Sequence, residues 1–141
     1  MKIRTNSPEE TFDLGYKIAK KIKMPSSILI EGSLGSGKTT LIRGILSYFG
    51  YNTVRSPSFL YVYEYNIPGG KIYHIDLYRT EIKDLEEKLN LSELIEENAI
   101  FLVEWPEKVK NINFPFPITI KIKIVDETKR ELESEIFNSF Y

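Results

Sequence analysis

The chain has 141 residues, a net charge of −1 and a sequence pI of about 5.9. Apolar residues make up 42% and charged residues 28%, a balance expected of one soluble globular domain with a buried core. The absence of cysteine excludes disulfides, thiolate metal sites and cysteine catalysis, and the near-zero charge removes the case for a broadly basic nucleic-acid surface.

In chain order, Ser7-Pro8-Glu9-Glu10 reads as a helix start, with Ser7 as N-cap, Pro8 at the first helical position and Glu10 closing a capping box. Leu14, Ile18 and Ile22 follow at helical spacing beside Gly15 and Ala19, while Lys17, Lys20 and Lys21 fall mostly elsewhere. Pro25 ends that segment. Ile28-Leu29-Ile30 is a continuous apolar run, as in a strand buried on both faces of a parallel sheet. After a glycine-rich loop, residues 40–49 predict a helix that Gly50 stops. FLYVYEY (59–65) and KIYHID (71–76) flank Pro68-Gly69-Gly70 and predict a hairpin.

Residues 82–98 read as one or two helices, with Leu85, Leu89, Leu91, Leu94 and Ile95 apolar. AIFLVE (99–104) is another buried strand, and it ends in a carboxylate. ITIKIKIV (118–125) alternates strictly, so one face is wet, as on an outer strand, and residues 129–137 are placed to pair back onto it. The order predicts an α/β fold: a P-loop NTPase-like mixed sheet flanked by helices, with antiparallel hairpins added, in a single domain over 1–141. No apolar run reaches about 18 residues, and the opening MKIRTNSPEE has no apolar signal core. The expected location is therefore the cytoplasm, without membrane contact.

Gly32-Ser33-Leu34-Gly35-Ser36-Gly37-Lys38-Thr39 matches the pattern G-x-x-x-x-G-K-[ST] in full. Glycines let the backbone turn so that successive N–H groups face a phosphate, and the helix that follows presents its N-terminus to the same anion. In such a loop Gly35, Ser36, Gly37, Lys38, Thr39 and Thr40 bind the nucleotide, Lys38 reaching the β- and γ-phosphates and the Thr39 hydroxyl binding Mg²⁺. A guanine-reading Asn-Lys-x-Asp motif is missing; Thr128-Lys129-Arg130-Glu131 does not fit it, so ATP is the expected nucleotide.

A P-loop enzyme also needs a carboxylate at the end of a neighbouring strand, on the Mg²⁺ side. KIYHID offers Asp76 and AIFLVE offers Glu104. Spacing leaves both assignments open: either can be the metal-side group, and the other can orient or activate the attacking water. His74, the single histidine, reads as packed or hydrogen-bonded. Arg79 reads as a salt-bridge partner of nearby glutamates rather than a phosphate-stabilising finger. Trp105 is either a half-buried anchor or a stacking or partner-facing aromatic, and it is counted among the candidate nucleotide-binding residues. The aromatics of FLYVYEY read as strand packing rather than base stacking.

Four blocks, GSLGSGKTT, VRSPSF (54–59), HIDLYR (74–79) and VEWPE (103–107), stand in one order, and in that order the chain resembles the TsaE family of small bacterial ATPases needed to make threonylcarbamoyladenosine in tRNA. The resemblance covers nearly the whole chain, including EETFDLG near the start. It implies that Asp76 is the Mg²⁺-side carboxylate and that Glu104 sits at a Walker-B-like position serving hydrolysis, with Trp105 its characteristic neighbour. It implies that SPSF is a switch-like segment touching the γ-phosphate side through Ser58, and that Thr11 lies near the nucleotide base. Ser36 and Ser58 stand where the family usually has alanine and threonine. The family acts with TsaB and TsaD, so the resemblance implies those partners and an indirect contact with tRNA. It further implies Mg-ATP hydrolysis, weak on its own, that resets or remodels the partner complex.

Two other classes compete. A small-molecule kinase needs an acceptor site and usually an arginine-bearing lid, and Arg55, Arg79 and Arg130 are isolated. A non-hydrolysing binding module would not need both carboxylates.

Overall fold

The computed structural model describes residues 1–53, 61–78, 91–109 and 111–140. The elements are β1 (Lys2–Thr5), α1 (Pro8–Ala19), β2 (Ser26–Gly32), α2 (Lys38–Tyr48), β3 (Val62–Ile67), β4 (Gly70–Asp76), α3 (Leu91–Leu94), β5 (Ala99–Glu104), β6 (Pro117–Ile124) and β7 (Arg130–Glu133). Single 3₁₀ stretches cover Pro106–Val109 and Glu135–Phe140. The result is a mixed α/β fold, with seven strands in a mixed sheet and flanking helices. The predicted helical stretch over 82–90 and the predicted strand start at 59–60 lie outside the described residues.

The chain divides into two compact units: Met1–Ile22, Ile30–Val54 and Ile118–Tyr141 form the first, Lys23–Leu29 and Arg55–Pro117 the second. The first holds the end of β2, with β6, β7 and β1 following in antiparallel pairs. Within it α1 packs against α2. Ser7 caps α1, its hydroxyl accepting the Glu10 N–H at 3.1 Å. Glu10 reaches back as expected, but its carboxylate accepts the N–H of Asn6 rather than that of the cap. Pro8 sits in the first turn, where its missing N–H costs nothing.

The helix ends at Ala19, short of the predicted stop at Pro25. Lys21 and Ile22 bond three residues back, to Ile18 and Ala19, so the last turn tightens and unwinds. At α2, the Gly50 N–H reaches the Ser47 carbonyl and the Tyr51 N–H that of Leu46, the paired bonds of a glycine-terminated helix. Gly50 carries the left-handed φ of 93° that this ending needs. The helix begins two residues earlier than predicted, at Lys38.

The second unit holds the start of β2, with β5, β4 and β3 following. β4 and β5 are parallel, and β3 and β4 form the predicted hairpin around Pro68-Gly69. One face of these strands presents Val62, Tyr73, Ile75, Ala99, Phe101 and Val103 to a core that Leu77, Leu91, Leu94, Val109 and Phe114 complete. Ile72, Ile100 and Leu102 on the other face are buried as well, which explains the unbroken apolar run of β5.

β6 alternates as read, with Ile120 and Ile122 buried and Lys121 and Lys123 exposed, but it is not an outer strand. β7 pairs along it, and β1 pairs beyond β7. Alternation reports a wet face; it carries no information about the hydrogen-bonding edges. Of residues 129–137, Lys129 closes the turn before β7, Arg130–Glu133 pair with β6, and the rest turn into the 3₁₀ stretch. β1 was not anticipated: four residues, three of them polar, carry too little pattern.

Gly15 and Gly44 set the spacing of the helix pair. A Cβ on Gly44 would lie 2.0 Å from the Phe12 carbonyl oxygen, and one on Gly15 would lie 2.2 Å from that of Leu41. Alanine at Gly44 would gain about 0.5–1 kcal/mol of helix propensity, but the obstacle is backbone and cannot rotate away. We expect Gly44→Ala to destabilise the fold by about 1–3 kcal/mol net, read as a lower urea midpoint at unchanged slope.

Candidate nucleotide site

The first unit carries the glycine-rich loop. β2 delivers the chain to Gly32, and α2 starts at Lys38 on an N-cap, Gly37, with φ 106° and no side-chain cap. Gly35 also has positive φ, 78°. The space at Gly32 is closed: a Cβ there would meet Ser36 Oγ at 2.6 Å and the Ile122 carbonyl at 2.9 Å. Lys38 is buried to 5% exposure, with its Nζ donating to the carbonyls of Gly32 at 2.6 Å and Ser33 at 2.9 Å. Thr39 is exposed in the first turn of α2.

Arg130, at the start of β7, braces this loop from the side. Its Nε donates to the Ser36 carbonyl at 2.9 Å and its Nη2 to that of Gly35 at 3.2 Å, while Nη1 donates to Asp126 and Lys129 carbonyls. In a trans peptide the N–H points opposite its C=O. Holding the Ser36 carbonyl therefore aims the Gly37 N–H away from Arg130. The Asp126 carboxyl sits below its usual range because backbone N–H groups of Lys129 and Thr128 donate to it, which fixes the turn carrying Arg130.

Beside the loop, Pro8, Thr11, Gly35, Gly37, Thr40, Glu127, Thr128 and Arg130 line a pocket of about 100 Å³. Thr11 is buried at its wall, sharing a hydrogen bond with the Thr5 hydroxyl at 2.7 Å.

The second unit carries the carboxylates. Asp76 and Glu104 are register partners at the C-terminal ends of the parallel strands β4 and β5. Register partners share a face, and so does a residue two positions back. His74 therefore lies on the same side, and its Nε2 is 2.7 Å from Glu104 Oε2, with both side chains buried. Tyr63, opposite His74 on β3, stacks on the imidazole with ring centres 5.1 Å apart. Its phenol is pushed above its ordinary value by burial first, then by the charges of Asp76 and Glu104. Asp76 Oδ1 accepts the Tyr78 N–H at 3.1 Å. Trp105 has a left-handed φ of 61°, packs against the core of this unit and lies 5.1 Å from the Tyr78 ring, as an anchor would.

The family model for threonylcarbamoyl adenosine biosynthesis protein TsaE matches residues 5–133. The chain belongs to the TsaE family. The Aquifex aeolicus tRNA threonylcarbamoyladenosine biosynthesis protein TsaE is 40% identical over 129 residues, covering 89% of each chain. Its Rickettsia felis namesake is 38% identical, covering 95% of this chain and 78% of the relative. The crystal structure of Bacillus subtilis YdiB superposes with a TM-score of 0.74 at 30% identity, covering 95% of this chain and 83% of that one. This TsaE-family chain thus carries its sequence-predicted residues in two sets. Gly35, Ser36, Gly37, Lys38, Thr39, Thr40 and Thr11 lie in the first unit; Asp76, Glu104 and Trp105 lie in the second. Ser58 and Arg79 lie outside the described residues.

The donor chemistry fits the nucleotide and ion that a P-loop family implies. The left-handed glycines leave room for a close anion, and the uncapped head of α2 has N–H groups to offer it. Among the described residues no group of three or more carboxylate, histidine or cysteine side chains is placed to cage a metal. Mg²⁺ takes one or two carboxylates and completes its shell with phosphate and water, and Asp76 and Glu104 are the carboxylates that the strand ends offer.

Sequence reasoning missed Arg130, which no local pattern distinguishes from a surface arginine. We expect Arg130→Met, which keeps the apolar stem, to speed amide exchange across residues 33–37 by about tenfold. Hydrogen–deuterium exchange of wild type and variant checks this.

Proposed function

We propose that the protein binds and hydrolyses Mg-ATP within threonylcarbamoyladenosine biosynthesis, as a single P-loop ATPase domain over 1–141. Its hydrolysis, weak alone and stimulated by partners, resets a complex of TsaB- and TsaD-type proteins in the cytoplasm; tRNA is reached through those partners. The observation that carries the ATPase reading is the pair of carboxylates, Asp76 and Glu104, in register at the ends of parallel strands in a chain with a complete P-loop. Family membership supports the pathway. No described helix is long and apolar enough to cross a membrane.

In this reading Lys38 holds the β- and γ-phosphates with its ammonium, and the backbone of 35–39 holds the β-phosphate. Thr11 borders the base and ribose side, and Thr40 closes the same pocket. On the ion side, the Thr39 hydroxyl is the ligand that the first unit offers, and Asp76 and Glu104 are the metal-side carboxylates of the second. Mg²⁺, when bound, neutralises charge on the phosphate oxygens. Glu104 orients the attacking water and takes its proton on a carboxylate oxygen. Ser58 reports the γ-phosphate side, and Trp105 anchors the turn after Glu104.

We expect Lys38→Ala to weaken ATP binding by about tenfold or more in calorimetry, since it removes a charge-assisted contact. Unchanged affinity would contradict the loop assignment. Glu104→Ala is expected to abolish partner-stimulated phosphate release at near-normal ATP affinity, and Asp76→Ala to raise the Mg²⁺ needed for turnover. Phosphate release assayed with TsaB and TsaD present, across a Mg²⁺ series, separates the two. Stoichiometric phosphorylated product on adding nucleosides or sugars would favour a kinase instead.

A further inference from the structure

The buried imidazole of His74 does not behave as packing. It is 4% exposed, yet its Nδ1 has no hydrogen-bond partner among the described residues. A ring that served only to fill space would strand no nitrogen, whereas an apolar side chain here would leave the buried Glu104 carboxylate without this partner. What the histidine does supply is one N–H to one carboxylate: Nε2 meets Glu104 Oε2 at 2.7 Å. The ring has little freedom to do otherwise. Tyr63 stacks on it with an interplanar angle of 25°, from the register position directly opposite. The Glu104 backbone is also fixed, its carbonyl accepting the Leu77 N–H at 3.2 Å.

We propose that His74 is a positioning residue for hydrolysis: its Nε2–H holds Glu104 by Oε2 and presents Oε1 to the attacking water. The inference rests on the reading of Glu104 given above. A flexible glutamate has three side-chain torsions, and one carboxylate oxygen committed to a rigid donor removes most of that freedom before the reaction begins. His74 touches neither nucleotide nor water in this scheme; it acts only through Glu104.

The test uses the full-length protein with its TsaB and TsaD partners, and three variants. Glutamine places its amide N–H near the position of Nε2, asparagine nearer Nδ1, and phenylalanine keeps the shape and the stacking. His74→Phe and His74→Asn should each lower stimulated kcat by about tenfold or more, with ATP affinity within about twofold of wild type. His74→Gln should recover to within about threefold of wild type. A purely space-filling role predicts instead that His74→Phe does best.

Because the chain has one histidine, its imidazole gives one pair of ¹⁵N signals. We expect the Nε2 signal to be that of a protonated nitrogen, and to shift in Glu104→Gln. Full turnover in His74→Phe, glutamine no better than asparagine, or a bare Nε2 would each overturn the inference. Should His74→Phe fail to fold, glutamine against asparagine carries the comparison. Loss of turnover in Glu104→Ala with full turnover in His74→Phe rejects this inference alone. Full turnover in Glu104→Ala rejects the reading of Glu104 and this inference with it.

Discussion

The head of α2 is the constraint around which the glycine loop is built. The first N–H groups of any helix lack intrahelical acceptors. At α1 the chain answers this locally, with the Ser7 hydroxyl and the Glu10 carboxylate. At α2 it does not, because Gly37 has no side chain and takes a left-handed φ. Those donors then need an acceptor from elsewhere, and an anion is the best one available. The surroundings follow from that need. Lys38 lies buried against the carbonyls of Gly32 and Ser33, and Arg130 ties back those of Gly35 and Ser36. Carbonyl oxygens are thereby engaged by cations, which keeps their negative ends from facing the same anion.

In the second unit the organising fact is parallel pairing. β4 and β5 run the same way and in register, so their C-terminal ends fall side by side. That is the end of a parallel sheet where ligands usually bind. The period of two then sorts the residues. Tyr73, Ile75, Phe101 and Val103 serve the core, and His74, Asp76 and Glu104 share the opposite side. One register slip would exchange the two sets. Packing of the aromatic row and placement of the carboxylates are therefore the same structural event.

Most of the fold was legible because its signals were local and redundant. The Ser7-Pro8 start, the P-loop between strand and helix, the Pro68-Gly69 turn and the apolar run of β5 each predict one element without reference to the rest. What failed was non-local. Alternation in β6 reports burial on one face; the return strand β7 is anticipated, but β1 beyond it, which fixes how far from the edge β6 lies, is not. At the candidate site the glycine-rich loop is legible for the same reason: the pattern G-x-x-x-x-G-K-[ST] fixes residues at fixed offsets. Arg130 had no such signature. It acts on Ser36 and Gly35 from a strand far away in sequence, and only the antiparallel return of β7 brings it there. His74 is buried and hydrogen-bonded, as its sequence context suggests, but the identity of its partner, Glu104 on a different strand, is not legible there.

The unsatisfied polar atoms sharpen the division between packing and chemistry. Among the described residues three buried side-chain atoms lack a partner: Ser26 Oγ, Ser36 Oγ and His74 Nδ1. The structure offers no reason for the first. The other two lie in the glycine-rich loop and beside Glu104. A buried polar atom without a partner costs about 1–3 kcal/mol; alanine at Ser36 would avoid that cost, while at His74 the nitrogen is carried by the ring whose other nitrogen meets Glu104. Both places carry a polar atom that space-filling alone does not call for, whereas the aromatic core face of β4 and β5 has none among the described residues. Departures of this kind concentrate where a protein serves a ligand rather than its own stability. By that criterion His74 stands with the motif residues and not with the core that surrounds it.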